Sequence, residues 1–183
     1  MDCPVCKNAG LTREKLEQDL VAYSCAQCGG RMIVANDYSH WLEKHGETLP
    51  EKPFSDISLE IHDVEKAKFC PECSRLMVKY KVGHGLDFKI DRCGGCGGVW
   101  LDANEWEAMK DRNLHDEINS VFTAPWQAGV RQEQNSQTLD ALYAEKFGDQ
   151  DYSKIKEIRS WLDGHPKRQA ILHFLSDDSP YKA

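Results

Sequence analysis

Long apolar runs are missing from this chain. Nothing in its 183 residues approaches the roughly 20 consecutive apolar residues that a membrane-spanning helix needs, and no leader-like stretch comes before Cys3. No membrane association is expected, and a reducing, cytoplasmic setting is. Positive charge is also scarce. The formal net charge is −7 and is spread along the chain without a basic arm or an acidic tail, which argues against a generally basic nucleic-acid binder. A catalytic constellation is lacking as well. The seven histidines are scattered, with His84 in a turn, and no glycine loop leads into a lysine as a phosphate cradle requires. Asp177-Asp178 reads as the end of a helix and not as an acid–base pair. The chain is not expected to be an enzyme.

What is present is a ligand pattern written twice. Cys3-x-x-Cys6 and Cys25-x-x-Cys28 are followed by Cys70-x-x-Cys73 and Cys93-x-x-Cys96, and these are all 8 cysteines of the sequence. Two Cys-x-x-Cys pairs separated by 15 to 20 residues is the spacing of a four-cysteine zinc ribbon, in which two tight knuckles share one tetrahedral ion. The repeat extends past the ligands: Cys28-Gly29-Gly30 through Asp37 aligns without gaps with Cys96-Gly97-Gly98 through Glu105. Disulfides are disfavoured, because each Cys-x-x-Cys would close only a tiny loop. Two structural zinc ions are expected, held by Cys3, Cys6, Cys25, Cys28 and by Cys70, Cys73, Cys93, Cys96. With the thiolates ionised, the net charge falls to about −11. A single redox-active iron in a rubredoxin-like cage is the rival occupant, and spacing alone leaves zinc and iron both open.

The fold class expected is a small, metal-stabilised α+β protein of two tandem ribbons, each followed by a helix, with a C-terminal helical segment. Residues 1–48 make the first ribbon and its helix, capped by Asn36. Residues 49–67 are a linker in which Ile57, Leu59 and Ile61 alternate like a short strand. Residues 68–119 make the second ribbon, turning at Gly83-His84-Gly85, with an Asp102/Glu105 capping pair before a helix that carries Trp106, Met109 and Ile118. Residues 120–137, polar and containing Pro125 and Gly129, read as a connector. Residues 138–183 carry three helical patterns. Each ribbon is small enough to need its metal in order to fold.

One stretch departs from the acidic background. Arg75, Lys79, Lys81, Lys89 and Arg92 lie on the second hairpin with Tyr80 and Phe88 between them, and basic residues interleaved with aromatics suit nucleic-acid contact. The plainer reading is that the lysines cover exposed faces while the aromatics pack the core.

The run Phe69-Cys70-Pro71-Glu72-Cys73, continued by Cys93-Gly94-Gly95-Cys96-Gly97-Gly98-Val99-Trp100-Leu101-Asp102, resembles the transcription-factor-IIB-type zinc-ribbon family of small bacterial proteins. The first unit fits the same frame but has Arg31-Met32-Ile33-Val34 where the second has Val-Trp-Leu-Asp. The resemblance covers about the first 110 residues. It implies the ribbon fold and zinc at both tetrads, and loosely suggests transcription-related binding. The expected function is a non-enzymatic, zinc-stabilised adaptor that presents its ribbons to a macromolecular partner, protein before nucleic acid. The alternatives are a nucleic-acid-binding or transcription-associated ribbon protein and a rubredoxin-like iron redox protein.

Overall fold

A computed structural model describes residues 1–46, 50–52 and 60–181. It divides into two units, Met1–Arg131 and Gln132–Ala183. Among the described residues no helix is long and apolar enough to cross a membrane.

The first unit is built on two hairpins. Strand β1 (Thr12–Glu17) pairs antiparallel with β2 (Leu20–Ser24), and β4 (Met77–Gly83) pairs with β5 (Leu86–Cys93). The second hairpin reverses through His84 and Gly85, both at positive φ (55° and 82°), the pairing that a type I′ turn requires. Each hairpin gains a third short strand just after its last cysteine pair: β3 (Arg31–Ile33) beside β2 and β6 (Val99–Leu101) beside β5.

These third strands join the repeats. β3 and β6 run antiparallel, with Arg31 opposite Leu101, Met32 opposite Trp100 and Ile33 opposite Val99, so one six-stranded sheet runs β1-β2-β3-β6-β5-β4. Met32 and Trp100 are equivalent positions of the two repeats, so the pairing has the self-complementary form of a two-fold dimer interface. Glycine makes the approach possible. A Cβ on Gly30 would lie 2.3 Å from Trp100 Cζ2, and one on Gly98 would lie 2.3 Å from Met32 Cε. Each knuckle must also turn its backbone sharply beside sulfur. The structure gives the turn to Gly29 and Gly97, at φ 71° and 75°, while Gly30 and Gly98 let the repeats interlock.

The alternation of each strand sorts side chains to two sides of this sheet. On one side Leu20, Ala22, Ile33, Val82, Phe88, Ile90, Val99 and Leu101 form the larger core beneath α1 (Ala35–His45), α2 (Glu105–Asp111) and α3 (Ile118–Val121). Trp41 meets Trp106 edge to face at 6.1 Å, which ties the two post-ribbon helices to each other. On the other side Met32, Met77 and Trp100 pack with the cysteines.

Several boundaries differ from the sequence reading. The first helix begins at Ala35 with Val34 as its N-cap and no side-chain cap, so Asn36 sits inside the first turn. Ile118 belongs to α3, since the chain breaks at Arg112 and at Asn113, whose φ is 56°. The connector is mostly helix: Ala124–Phe147 is a single α4. Pro125 falls in its first turn, where a missing N–H costs nothing, and Gly129 is exposed and meets no neighbour. Phe122 and Val130 are buried, and Trp126 donates its indole N–H to the Val82 carbonyl at 2.8 Å, so the 120–131 stretch completes the ribbon core. Ile57 and Leu59 of the supposed linker strand lie outside the described residues, and Ile61 is in no strand but packs against the core.

The second unit continues α4 to Phe147 and adds α5 (Asp149–Leu162) and α6 (Arg168–Ser176). These are the three helical patterns of the sequence.

Candidate metal centres and the second hairpin

The eight cysteines come together as two tetrads, Cys3/Cys6/Cys25/Cys28 and Cys70/Cys73/Cys93/Cys96, with the ligand atoms of each within 4.8 Å of one another. Matching backbone bonds make matching knuckles. Cys25 N–H donates to Gly30 O and Cys93 N–H to Gly98 O, both at 2.9 Å. Cys3 N–H donates to Ala9 O and Cys70 N–H to Arg75 O, both at 2.8 Å. Sulfur–sulfur separations are 3.6 Å for Cys3–Cys28, 3.8 Å for Cys6–Cys25, 3.5 Å for Cys70–Cys96 and 3.3 Å for Cys73–Cys93. A tetrahedron with metal–sulfur bonds of about 2.3 Å has edges of about 3.8 Å, whereas a disulfide needs about 2.05 Å. The donor set therefore fits one four-thiolate ion in each ribbon.

One cysteine of each tetrad is biased toward thiolate by its backbone, while burial raises the thiols of Cys6, Cys28, Cys70 and Cys96. Burial alone would raise Cys93, but the N–H groups of Cys96 and Gly95 pull its pKa down to about 6. In the first ribbon the N–H groups of Cys28 and Gln27 outweigh burial and bring Cys25 to about 7. Backbone donors thus stabilise the ionised form of Cys25 and Cys93. The four thiolates would complete the coordination of a tetrahedral ion and leave it no open position for substrate.

The five basic residues of the second hairpin do not form one open cationic surface. Lys79 donates to Val64 O at 2.8 Å and Asp91 Oδ2 at 3.2 Å, and Asp63 lies 3.7 Å away. Lys81 pairs with Asp87 at 2.7 Å. Arg92 lies over the Phe122 ring at 4.8 Å, and the Arg75 side chain lies against Gly95. Lys89 is half-buried, opposite Lys81. Phe88 is a core residue and Tyr80 packs edge to face on Phe122 at 5.1 Å. Apolar residues take the exposed ground instead. Phe69, Leu76 and Val78 are 61%, 55% and 51% exposed. Phe69 bridges to Leu76, and Leu76 and Val78 are alternate positions of one strand line, so the three share a side of the second ribbon opposite to Met77 and the cysteines.

A buried polar network went unseen in the sequence. Lys68, 1% exposed, donates to Asp91 at 2.7 Å, Asp102 at 2.9 Å and Val64 O at 3.1 Å. Asp102 also accepts the Trp100 indole N–H at 2.7 Å and the Val64 N–H at 2.7 Å. The capping pair is half realised, since Glu105 Oε2 accepts the Asp102 N–H at 2.8 Å while the Asp102 side chain is engaged elsewhere. Burial would lower the Lys68 pKa, but Asp102 and Asp91 raise it, so the ammonium stays charged. One sequence signal was available: Asp91 is in phase with Cys93 along β5, which puts it on the metal side of the sheet.

Glu105 is the costly member. It is fully buried, Oε1 has no hydrogen-bond partner among the described residues, and burial followed by repulsion from Asp102 lifts its pKa from 4.5 to about 9. Between those values the unfolded chain releases this proton and the folded chain keeps it, so stability falls as pH rises through that window. The cost is on the order of 3 kcal/mol at pH 7. Glu105→Gln is therefore expected to melt above the wild type at pH 8 and to converge with it near pH 5, as thermal unfolding of the zinc-loaded chain would show. A constant difference across that range would rule out a protonated Glu105.

Two segments, residues 2–44 and 69–112, match the family model described as a transcription factor zinc-finger. No curated protein and no solved structure matches the chain significantly. The matched segments are the two repeats, and each contains one complete tetrad, its hairpin, its third strand and the helix after it. Both cysteine-rich units of this chain are thus zinc ribbons of the transcription factor zinc-finger family.

Proposed function

We propose that the protein is a non-enzymatic adaptor of a reducing compartment, stabilised by two structural zinc ions and presenting the second ribbon to a protein partner. The observation that carries this reading is the exposed trio Phe69, Leu76 and Val78 on the second ribbon. Its counterpart in the first ribbon is the polar bridge Asp2–Gly10, so the apolar character is a property of one copy and not a requirement of the fold. Exposed apolar clusters mark protein contacts, and the neighbouring cations are largely engaged within the chain. A net charge of −7 opposes docking to a polyanion. Zinc is favoured over iron by the family of both ribbons and by their use as sheet-building elements, and elemental analysis separates the two.

The test compares two triple variants of the zinc-loaded chain. Lys79 is a poor choice for charge reversal, because a glutamate there would face Asp91 and Asp63, so the cationic face is represented by Arg75→Glu, Lys81→Glu and Lys89→Glu. Capture of a partner from nuclease-treated lysate is expected to survive these changes and to fall at least tenfold with Phe69→Ser, Leu76→Ser and Val78→Ser. Anisotropy titration with an oligonucleotide at about 150 mM salt should show no submicromolar binding. Tight, salt-steep oligonucleotide binding lost only in the charge-reversed variant would replace this reading with nucleic-acid recognition.

A further inference from the structure

The second unit has helices but almost no core. Among the described residues of Gln132–Ala183 only Leu162 is buried. Ten large apolar side chains between positions 139 and 175 stand 39–61% exposed, among them Leu139 and Leu142 on α4, Ile158 and Trp161 on α5, and Leu175 on α6. Their order is helical: 139, 142 and 143 share a face of α4, and 155 and 158 share a face of α5 with the buried Leu162. Soluble helices with such faces normally bury them, and here the contact of α4 with α5 through the rings of Tyr143, Phe147 and Tyr152 leaves most of this surface in water.

The amount of surface decides what can cover it. Half-exposed side chains of this size each leave roughly 90 Å² accessible, so the unit presents on the order of 900 Å² from large apolar residues. A stable interface takes about 800 Å² from each partner. The cover must also be permanent, because one buried side chain cannot offset backbone ordering at about 1–2 kcal/mol per residue. A second copy of the chain is always present in equal amount. Charge permits the match: residues 132–183 carry nine acidic and seven basic residues, interspersed along the helices. Two copies therefore meet with little net repulsion.

We infer that residues 139–175 are a homodimerisation module, in which the apolar faces of α4, α5 and α6 pack against the same helices of a second copy in a self-complementary interface. Sedimentation of the zinc-loaded full chain at about 1–50 µM is expected to give twice the 20.9 kDa chain mass. Ile158→Glu with Trp161→Glu should weaken the dimer at least 100-fold and leave the zinc content unchanged. A photoreactive phenylalanine analogue at position 161 gives a readout that needs no disruptive variant. Its adduct is expected at dimer mass and joined to a peptide of residues 139–175. A wild-type chain that stays monomeric across that range would overturn the assignment, as would an adduct at monomer mass joined to residues 1–131, or a dimer that survives the double replacement.

Discussion

Cys93→Ser is expected to cost the protein its second metal and to weaken the hold on the first. Removing a thiolate from a four-cysteine site forfeits much of a binding free energy of about 10–16 kcal/mol, which in a ribbon is also folding free energy. β5 ends at Cys93, and β6 follows directly on the knuckle that this residue anchors. When that knuckle opens, β3 loses its antiparallel neighbour, and Met32 and Ile33, 0% and 1% exposed in the intact sheet, face water. The zinc content should fall from two ions per chain to one, and the remaining ion should yield to chelator at least ten times faster than in the wild type. A remaining ion held with wild-type kinetics would show that the ribbons stand independently, and iron in either site would overturn the assignment of zinc.

Trp100→Ala should be the most damaging single change outside the ligands. Trp100 is fully buried, opposite Met32 at the centre of the joined sheet. Truncating a buried tryptophan costs about 3–5 kcal/mol, and here it also removes the donor that satisfies Asp102 Oδ1, adding about 1–3 kcal/mol for a stranded buried acceptor. Together these approach the whole stability of an ordinary domain. The expected outcome is a chain that expresses with sharply reduced zinc and loses the near-ultraviolet dichroism of both ribbons. Gly30→Ala probes the same contact from the other side, because the new methyl would need the space of the Trp100 ring. A Trp100→Ala protein with two zinc ions and a melting temperature within a few degrees of wild type would remove this contact from the account.

How much of this was legible followed from the range of the interactions. Metal ligands announce themselves by residue type and spacing, and the hairpins between them are forced by the need to bring two knuckles to one ion. The C-terminal helices showed as local periodicity. The joining of the ribbons was hidden, because its central pair is Met32 with Trp100, two residues whose chemistry does not advertise a symmetric match. The run 120–131 looked like a polar connector because its buried positions, Val121, Phe122 and Val130, are too few and too widely spaced for a periodic signal. Lysine at 68 read as a surface residue, since its burial depends on Asp91 and Asp102, which lie 23 and 34 positions away. The hairpin cations suffered the same blindness: their positions were read, but the carboxylates that engage them were not.

The strand order carries one more consequence. A sheet closed about a two-fold in its middle ends in two outer strands, β1 and β4, which correspond in topology but not in composition. β1 reads Thr-Arg-Glu-Lys-Leu-Glu and its first four residues are exposed, the charged dressing that natural proteins place where strand addition would be harmful. β4 is guarded by other means: Met77 N–H donates to Lys68 O at 2.9 Å, and the Trp126 and Gln127 side chains donate to the Val82 and Lys81 carbonyls at 2.8 Å. A molecule adhesive at both ends would be a link in a growing fibre. Here one end is dressed with charge and the other is occupied by the chain's own segments, so the sheet stops at six strands.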